Sequence, residues 1–156
     1  MFYQIHDNAM DDRGRIFMPA TFRRDVPADI LCGDFHITPE KDGHLVVRPK
    51  FEWEANIARI KRAQVESRVK KEYLKALNAL SQKTQLDRQN RLVLSPQMRK
   101  ALGVQPDEGR IELAIVGAGD YFEIWRAENF EGDESLLEKA SELRDRIESV
   151  IDETYD

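Results

Sequence analysis

Two short charged segments hold the residues of this sequence that are best suited to chemistry. Residues 11–24 read DDRGRIFMPATFRR and residues 87–100 read DRQNRLVLSPQMRK. Each has an aspartate four positions before an arginine and closes on a basic pair: Asp11, Arg15, Arg23 and Arg24 in the first, Asp87, Arg91, Arg99 and Lys100 in the second. The planar arginine fork donates two hydrogen bonds to a phosphate or a guanine edge, which suits nucleic-acid binding. The alternative is structural, because an exposed acid–arginine pair can brace a turn for about 0–1 kcal/mol.

Catalytic and metal-binding patterns are weak elsewhere in the chain. His6, His36, His44 and Cys32 show no metal-ligand spacing. There is no nucleophile elbow and no phosphate-binding glycine loop. We interpret adjacent acids such as Asp11-Asp12 as solvated turn residues. The sequence therefore predicts neither an enzyme nor a bound cofactor or metal.

Charge is unevenly distributed along the chain. The net charge is −5, yet residues 127–156 hold eleven acids and three bases, which leaves 21 bases and 18 acids in residues 1–126. Such asymmetry hints at a body that faces nucleic acid, although a solvated acidic tail on an ordinary domain is an equal alternative. No apolar run approaches the roughly 20 residues of a membrane span, and the N-terminus does not resemble a signal peptide. We expect a cytoplasmic protein with a buried, unpaired Cys32.

A repeat with an offset of 76 residues organises the elements around the two charged segments. Gly14 and Asn90 each precede the arginine and tolerate the left-handed backbone of a tight turn. Strands are predicted at 16–18 and 92–94, and Pro19 and Pro96 then open short helices, the second capped by Gly103. Two hairpins follow, formed by 34–38 with 45–48 and by 111–116 with 121–125.

Two long helices complete the prediction. Residues 50–80 are expected to form one helix, whose bases between 59 and 75 form either a solvated face or a secondary nucleic-acid contact. Residues 133–152 are expected to form another, with an apolar seam for core packing or subunit contact. The seam residues are Leu136, Ala140, Leu143, Ile147 and Val150.

The segments MDDRGRIFMPATFR, LDRQNRLVLSP and IVGAGDYFEIW, together with FEWE at 51–54, resemble the MraZ family of the AbrB-like swapped-hairpin class. The resemblance implies an α+β fold of two tandem AbrB-like repeats that form one pseudo-symmetric barrel, with a long amphipathic helix after each repeat. The expected divisions are a first repeat at 1–50, a connecting helix at 51–80, a second repeat at 81–126 and an acidic helix or tail at 127–156.

The resemblance also implies a function. Family members are DNA-binding transcriptional regulators, here expected to repress the bacterial division and cell-wall gene cluster by binding short direct repeats in their own promoter. They assemble as closed homo-oligomeric rings, here expected to hold roughly eight to twelve subunits, at the nucleoid. The alternative, from another functional class, is an oligomeric protein-interaction module that does not bind DNA.

The expected site residues follow from the duplicated segments and from the family's DxxxR pattern, which falls on residues 11–15 and 87–91. Arg13, Arg15, Arg88 and Arg91 are predicted DNA contacts, and Arg23, Arg24, Arg99 and Lys100 are weaker phosphate candidates. Asp11 and Asp87 are predicted to orient the arginines.

Overall fold

The computed structural model describes the backbone of residues 1–155 and the side chains of residues 1–151. Within that range the chain forms eight strands and six α-helices. In chain order these are β1 Ile5–Met10, β2 Arg15–Phe17, α1 Ala20–Asp25, α2 Ala28–Leu31, β3 Phe35–Pro39, β4 Leu45–Pro49, α3 Lys50–Arg62, α4 Ser67–Leu80, β5 Gln82–Thr84, β6 Arg91–Val93, α5 Pro96–Ala101, β7 Ile111–Gly117, β8 Phe122–Arg126 and α6 Asp133–Tyr155.

The strands form one antiparallel sheet that curls into a nearly closed barrel, in the order β5-β3-β4-β8-β7-β1-β2-β6. The two repeats interlock, because β1 pairs with β7, β2 with β6, β3 with β5 and β4 with β8. At the seam between β5 and β6 the Gln82 carboxamide bridges the strands, donating to the Val93 carbonyl at 3.0 Å and accepting from the Ser95 amide at 3.0 Å. The predicted α+β fold, a barrel formed by two tandem AbrB-like repeats, is confirmed.

Apolar side chains from both repeats fill the barrel. Phe2, Phe22 and Phe122 pack with ring centroids 5.1–5.3 Å apart, in tilted and edge-on arrangements. Ile16 and Leu92 point inward from β2 and β6 and are 2% and 1% exposed. Because side chains alternate along a strand, their neighbours on β2 and β6 must face outward.

The short helix α5 begins and ends where the sequence predicts. Ser95 is its N-cap and accepts a hydrogen bond from the Met98 amide at 3.2 Å, while Pro96 occupies the first turn. Gly103 follows with φ +84°, and the amides of Gly103 and Val104 donate to the Lys100 and Arg99 carbonyls at 2.9 and 3.0 Å. This is the Schellman arrangement, which ends the helix at a left-handed residue.

The single long helix predicted over 50–80 is wrong. The chain forms a helical hairpin, because Ala63 is extended (φ −60°, ψ 141°) and α4 restarts at Ser67. A straight helix of that length would run about 46 Å, whereas β5 must return to pair with β3 immediately afterwards. Trp53 on α3 and Leu77 on α4 are both buried, which one straight helix could not achieve on the same barrel.

Three further elements differ from the sequence prediction. The strands β1 and β5 and the single-turn helix α2 form although no pattern predicted them.

Cys32 follows α2 and is exposed rather than buried, because α2 buries none of its own residues. The acidic helix is confirmed as α6, and it extends further than predicted.

Candidate nucleic-acid interface

The two charged segments fold into the same turn. In the first, the Asp11 amide donates to the Arg15 carbonyl at 3.1 Å and the Gly14 amide donates to the Asp11 carbonyl at 3.1 Å. In the second, the Asp87 amide donates to the Arg91 carbonyl at 2.9 Å and the Asn90 amide to the Asp87 carbonyl at 3.0 Å. Each turn is a three-residue loop that ends on a left-handed residue, a common hairpin geometry.

The aspartate of each turn binds its arginine through both carboxylate oxygens. Asp11 Oδ1 accepts from the Arg13 and Arg15 amides at 2.9 Å each, and Oδ2 accepts from Arg15 Nε at 2.5 Å. Asp87 Oδ1 accepts from the Gln89 and Arg91 amides at 2.9 Å each, and Oδ2 accepts from Arg91 Nε at 2.7 Å. The structural alternative from the sequence, an acid that braces the turn, therefore holds in both repeats.

These contacts stabilise the charged form of both carboxylates. Desolvation raises the pKa of Asp11, but hydrogen bonds from the Arg15 backbone and side chain outweigh it and hold the pKa below its usual 3.8. Burial likewise raises the pKa of Asp87. The hydrogen bonds from the Arg91 backbone and side chain and from the Gln89 amide together outweigh burial, so the pKa of Asp87 is also lowered. Both aspartates are therefore anions at neutral pH and remain paired with the arginines.

The left-handed residues lock each turn to the other repeat. The Gly14 carbonyl (φ +79°) accepts from the Leu94 amide at 2.8 Å, and the Asn90 carbonyl (φ +59°) accepts from the Met18 amide at 3.0 Å. The two bonds are related by the 76-residue offset and thus by the pseudo-two-fold axis. A shift of either turn would therefore break its hydrogen bond to the residue that follows β6 or β2 in the other repeat.

The pairing of β2 with β6 brings both motif arginines to one surface. Arg15 lies opposite Val93, and Phe17 lies opposite Arg91. Since Ile16 and Leu92 face the core, these four residues face outward. We call them the arginine face: Arg15, Phe17, Arg91 and Val93.

The arginine face leaves hydrogen-bonding capacity for a ligand. Arg15 and Arg91 side chains are 32% and 19% exposed, and within the described residues no hydrogen bond engages their Nη nitrogens. Phe17, 54% exposed, lies opposite Arg91 and two residues along β2 from Arg15, and its ring centroid is 5.6 Å from the Arg91 guanidinium carbon. Each arginine is held by Nε and keeps its outer fork for an acceptor.

The remaining predicted residues surround this face unevenly. Arg13 and Arg88 are exposed at the tips of the two turns, and Arg23, Arg24 and Lys100 are exposed on α1 and α5. Arg24 Nε donates to Asp25 at 2.9 Å, so it is partly engaged. Arg99 is partly buried, and its Nε is shielded without a hydrogen-bond partner in the described part of the chain.

The structure brings the second basic pair to the first turn. Arg99 and Lys100 line a cleft of about 600 Å³ together with Asp11 and Asp12. The Arg99 side chain also approaches Gly14, where a Cβ would lie 3.1 Å from its Cδ. No hydrogen bond or ion pair in residues 1–151 joins the side chains of either basic pair to the turn of the other repeat, so Arg99 and Lys100 approach the first turn only through the shared cleft and the contact at Gly14.

Sequence reasoning missed two features of the surface. Phe17 is predicted only as part of a strand, whereas the alternation of exposed Phe17 with buried Ile16 is detectable from the pattern. Asp7 and Glu112 line a cleft beside Arg15 and Phe17, because β1 pairs with β7. The first turn therefore has more acidic surroundings than its position in the sequence suggests.

The described residues contain neither a helix that could span a membrane nor a cluster that could bind a metal ion. Of the helices in that range, none combines the length and the apolar character needed to cross a bilayer. Among the same residues, no group of three or more His, Cys, Asp or Glu side chains is arranged to hold a metal ion.

Comparison with known proteins decides the family. The chain is 32% identical over 143 residues to the protein named Transcriptional regulator MraZ of Mycolicibacterium gilvum (strain PYR-GCK), covering 89% of this chain and 90% of the relative. The chain belongs to the MraZ family. It is also 30% identical over 151 residues to the MraZ of Clavibacter michiganensis subsp. michiganensis (strain NCPPB 382), covering 97% of each chain. The MraZ of Mycobacterium ulcerans (strain Agy99) is 31% identical over 139 residues, covering 89% and 90%.

A family profile agrees with these relatives. The profile described as "MraZ protein, putative antitoxin-like" matches residues 79–148, which include the second turn and the start of α6. Membership of the MraZ family confirms the resemblance seen in the sequence. The chain is accordingly a transcriptional regulator and not an enzyme.

Proposed function

We propose that this MraZ-family regulator binds double-stranded DNA in a sequence-specific manner through the arginine face. The observation that supports the proposal best is the pair of outward arginines whose Nε atoms are held by Asp11 and Asp87. Their Nη nitrogens lack hydrogen bonds within the described residues. Such preoriented forks match the paired acceptors of guanine edges and phosphates.

The geometry of the arginine face suits the major groove. The strands β2 and β6 form a short antiparallel ribbon, and a two-stranded ribbon fits a groove about 12 Å wide. Arg13 and Arg88 at the turn tips would reach further along the groove or to its phosphate walls. Arg23, Arg24, Arg99 and Lys100 are proposed phosphate contacts that fix the register of the protein on DNA.

The proposed target is a set of short direct repeats in the promoter upstream of the protein's own gene. Binding there would repress the division and cell-wall gene cluster, which places the protein at the nucleoid in the cytoplasm. One subunit offers few phosphate contacts, so several subunits in a closed ring of roughly eight to twelve copies would be needed. Linked sites raise overall affinity by about a hundredfold or more.

The test is fluorescence anisotropy with the upstream DNA of the gene and a scrambled duplex of equal length. We expect Arg15→Ala and Arg91→Ala each to lose most of the preference for the upstream DNA, since each contact to a base is worth about 1–3 kcal/mol. The control Lys41→Ala removes one exposed positive charge in the turn between β3 and β4, outside β2, β6 and the two Asp–Arg turns. It should bind as the wild type does.

The salt dependence gives a second measurement. The logarithm of the binding constant should fall linearly with log[salt]. Loss of one phosphate contact should reduce the magnitude of that slope by about 0.9. Unchanged binding by both arginine variants would refute the role of the arginine face. No salt-sensitive binding by the wild type would favour the protein-interaction alternative, in which the two turns only brace the barrel.

A further inference from the structure

One side of α6 exposes an apolar stripe. The α6 stripe consists of Leu136, Ala140, Leu143 and Ile147, whose spacing of four, three and four places them within an arc of about 60°. The leucines and the isoleucine are 37%, 42% and 59% exposed. A helix in water is stabilised mainly by packing of its apolar face, so we expect a partner surface to cover the α6 stripe.

The helix α4 exposes a second stripe with the same spacing. The α4 stripe consists of Val69, Tyr73, Ala76 and Leu80, again within an arc of about 60°. The three large side chains are 50%, 52% and 48% exposed, whereas Leu77, further round the helix, is buried against the barrel. Both stripes are exposed in the same chain, so neither covers the other within one subunit.

The charges beside the two stripes are complementary. On α6, Lys139, Arg144 and Arg146 flank the stripe, together with Asp133 at the first turn, whereas most acids of the helix lie on its opposite half: Glu134, Glu138, Glu142, Asp145 and Glu148. On α4 two acids flank the stripe, Glu66 at the N-cap and Glu72, which also accepts from Arg68 Nε at 3.2 Å. Lys70, at the edge of the stripe, is engaged because it donates to the Lys61 carbonyl at 2.8 Å. Each stripe is therefore bordered mainly by the minority charge of its own helix.

We infer that α6 of one subunit packs against α4 of a neighbouring copy, stripe on stripe. The inference rests on the oligomer in the proposed function and names the surface that builds it. Two stripes with alternating spacings of three and four pack side by side in the manner of a helix pair. Ion pairs across the flanks favour this contact, and the opposite net charges of the helices favour it over pairing of α6 with α6 or α4 with α4.

The first experiment disrupts each stripe separately. Leu143→Asp on α6 and Tyr73→Asp on α4 place a charge in the contact without touching the barrel core. Light scattering after size exclusion, in the absence of DNA, should show the wild type as an oligomer. Each variant should fall to the 18.1 kDa mass of one subunit, and far-UV circular dichroism checks that the barrel remains folded.

The second experiment reverses the flanking charges. One variant carries Glu66→Lys and Glu72→Lys, another carries Lys139→Glu, Arg144→Glu and Arg146→Glu, and a third carries all five changes. We expect each single-helix variant to dissociate and the combined variant to reassemble, because every interface holds one α4 and one α6. Controls on the far sides, Lys71→Glu and Glu138→Lys, should keep the wild-type mass.

Three results would overturn the inference. Assembly of the stripe variants at the wild-type mass would show that the subunits use other surfaces, and the proposed DNA-binding role of the arginine face would stand. Failure of the five-change variant to reassemble would exclude this pairing. A monomeric wild type would exclude both the pairing and the ring, while anisotropy with the Arg15 variant would still test DNA contact separately.

Discussion

The aspartates of the two turns act on the backbone and the side chain at once. Asp11 and Asp87 each accept from two amides and one guanidinium Nε. The same carboxylate therefore closes the turn and holds the arginine Nε. Structural bracing and the proposed DNA recognition, which the sequence presents as alternatives, would use the same contacts. A recognition residue held in this way loses less conformational entropy when it binds.

Removal of the second aspartate should destabilise the protein measurably. Asp87→Ala leaves the amides of Gln89 and Arg91 without their acceptor and releases the Arg91 guanidinium. We expect the free energy of unfolding to fall by about 1–2 kcal/mol. The control Asp12→Ala removes an exposed acid of the first turn and should change stability by less than about 0.5 kcal/mol. Urea unfolding measures both, and equal stabilities would show that the carboxylate does not brace the turn.

The left-handed positions of the two turns should respond differently to substitution. Gly14→Ala places a methyl group about 2.7 Å from the Leu94 carbonyl oxygen and at positive φ, so we expect a loss of about 2–3 kcal/mol. Asn90→Gly relaxes the backbone at an equivalent position and should remain within about 0.5 kcal/mol of the wild type. Thermal unfolding of both variants measures this. A well-tolerated Gly14→Ala would show that the first turn can open from β6.

At the scale of elements, local residue types predicted the parts that depend on local chemistry. The turn, strand and helix sequence around Pro96 and Gly103 follows from capping and backbone preference, and it forms as expected. The strand β5 escaped prediction because Gln82–Thr84 is short and polar and forms only by pairing with β3. The break between α3 and α4 escapes prediction for the same reason. It is required because the chain must return so that β5 can pair with β3.

The ion pair between Glu108 and Arg126 joins the loop before β7 to β8, and its contribution to stability depends on pH. Arg126 on β8 donates from Nη1 and Nη2 to Glu108 at 3.1 and 2.8 Å, and from Nη1 to the Gly103 carbonyl at 2.8 Å. The hydrogen bond from Arg126, followed by that from the Gln105 amide, lowers the pKa of Glu108 from 4.5 to about 2. Because the folded-state pKa is the lower one, the pair stabilises the fold above pH 4.5.

This stabilisation should disappear as the pH falls from 4.5 to about 2. Glu108→Gln removes the titrating group, so its melting temperature should be lower than that of the wild type at pH 7. The difference between the two proteins should shrink as the pH approaches 2. Circular dichroism melts at several pH values measure this difference. A constant difference across the range would show that Glu108 does not contribute to the acid sensitivity.

At the scale of the whole molecule, the interface depends on how the repeats interlock. The sequence predicts both Asp–Arg pairs, because each lies within five residues of one segment. It does not show that Arg15 and Arg91 share a face, or that Phe17 lies opposite Arg91, because both facts depend on the register of β2 against β6. The position of Arg99 and Lys100 beside the first turn likewise comes from contact between repeats.

Interlocking also predicts that half of the chain cannot fold alone as a monomer. A fragment of residues 1–80 keeps the pairs β1–β2 and β3–β4, but each of these four strands loses its other neighbour, which is β7, β6, β5 or β8. The exposed strand edges would have to find equivalent strands in another molecule. Because the repeats share the same turns and strand order, a second fragment can supply β2 in place of β6. We expect light scattering and circular dichroism to detect an unfolded chain or a dimer, and a folded monomer would show that the pairing between repeats is not required for folding.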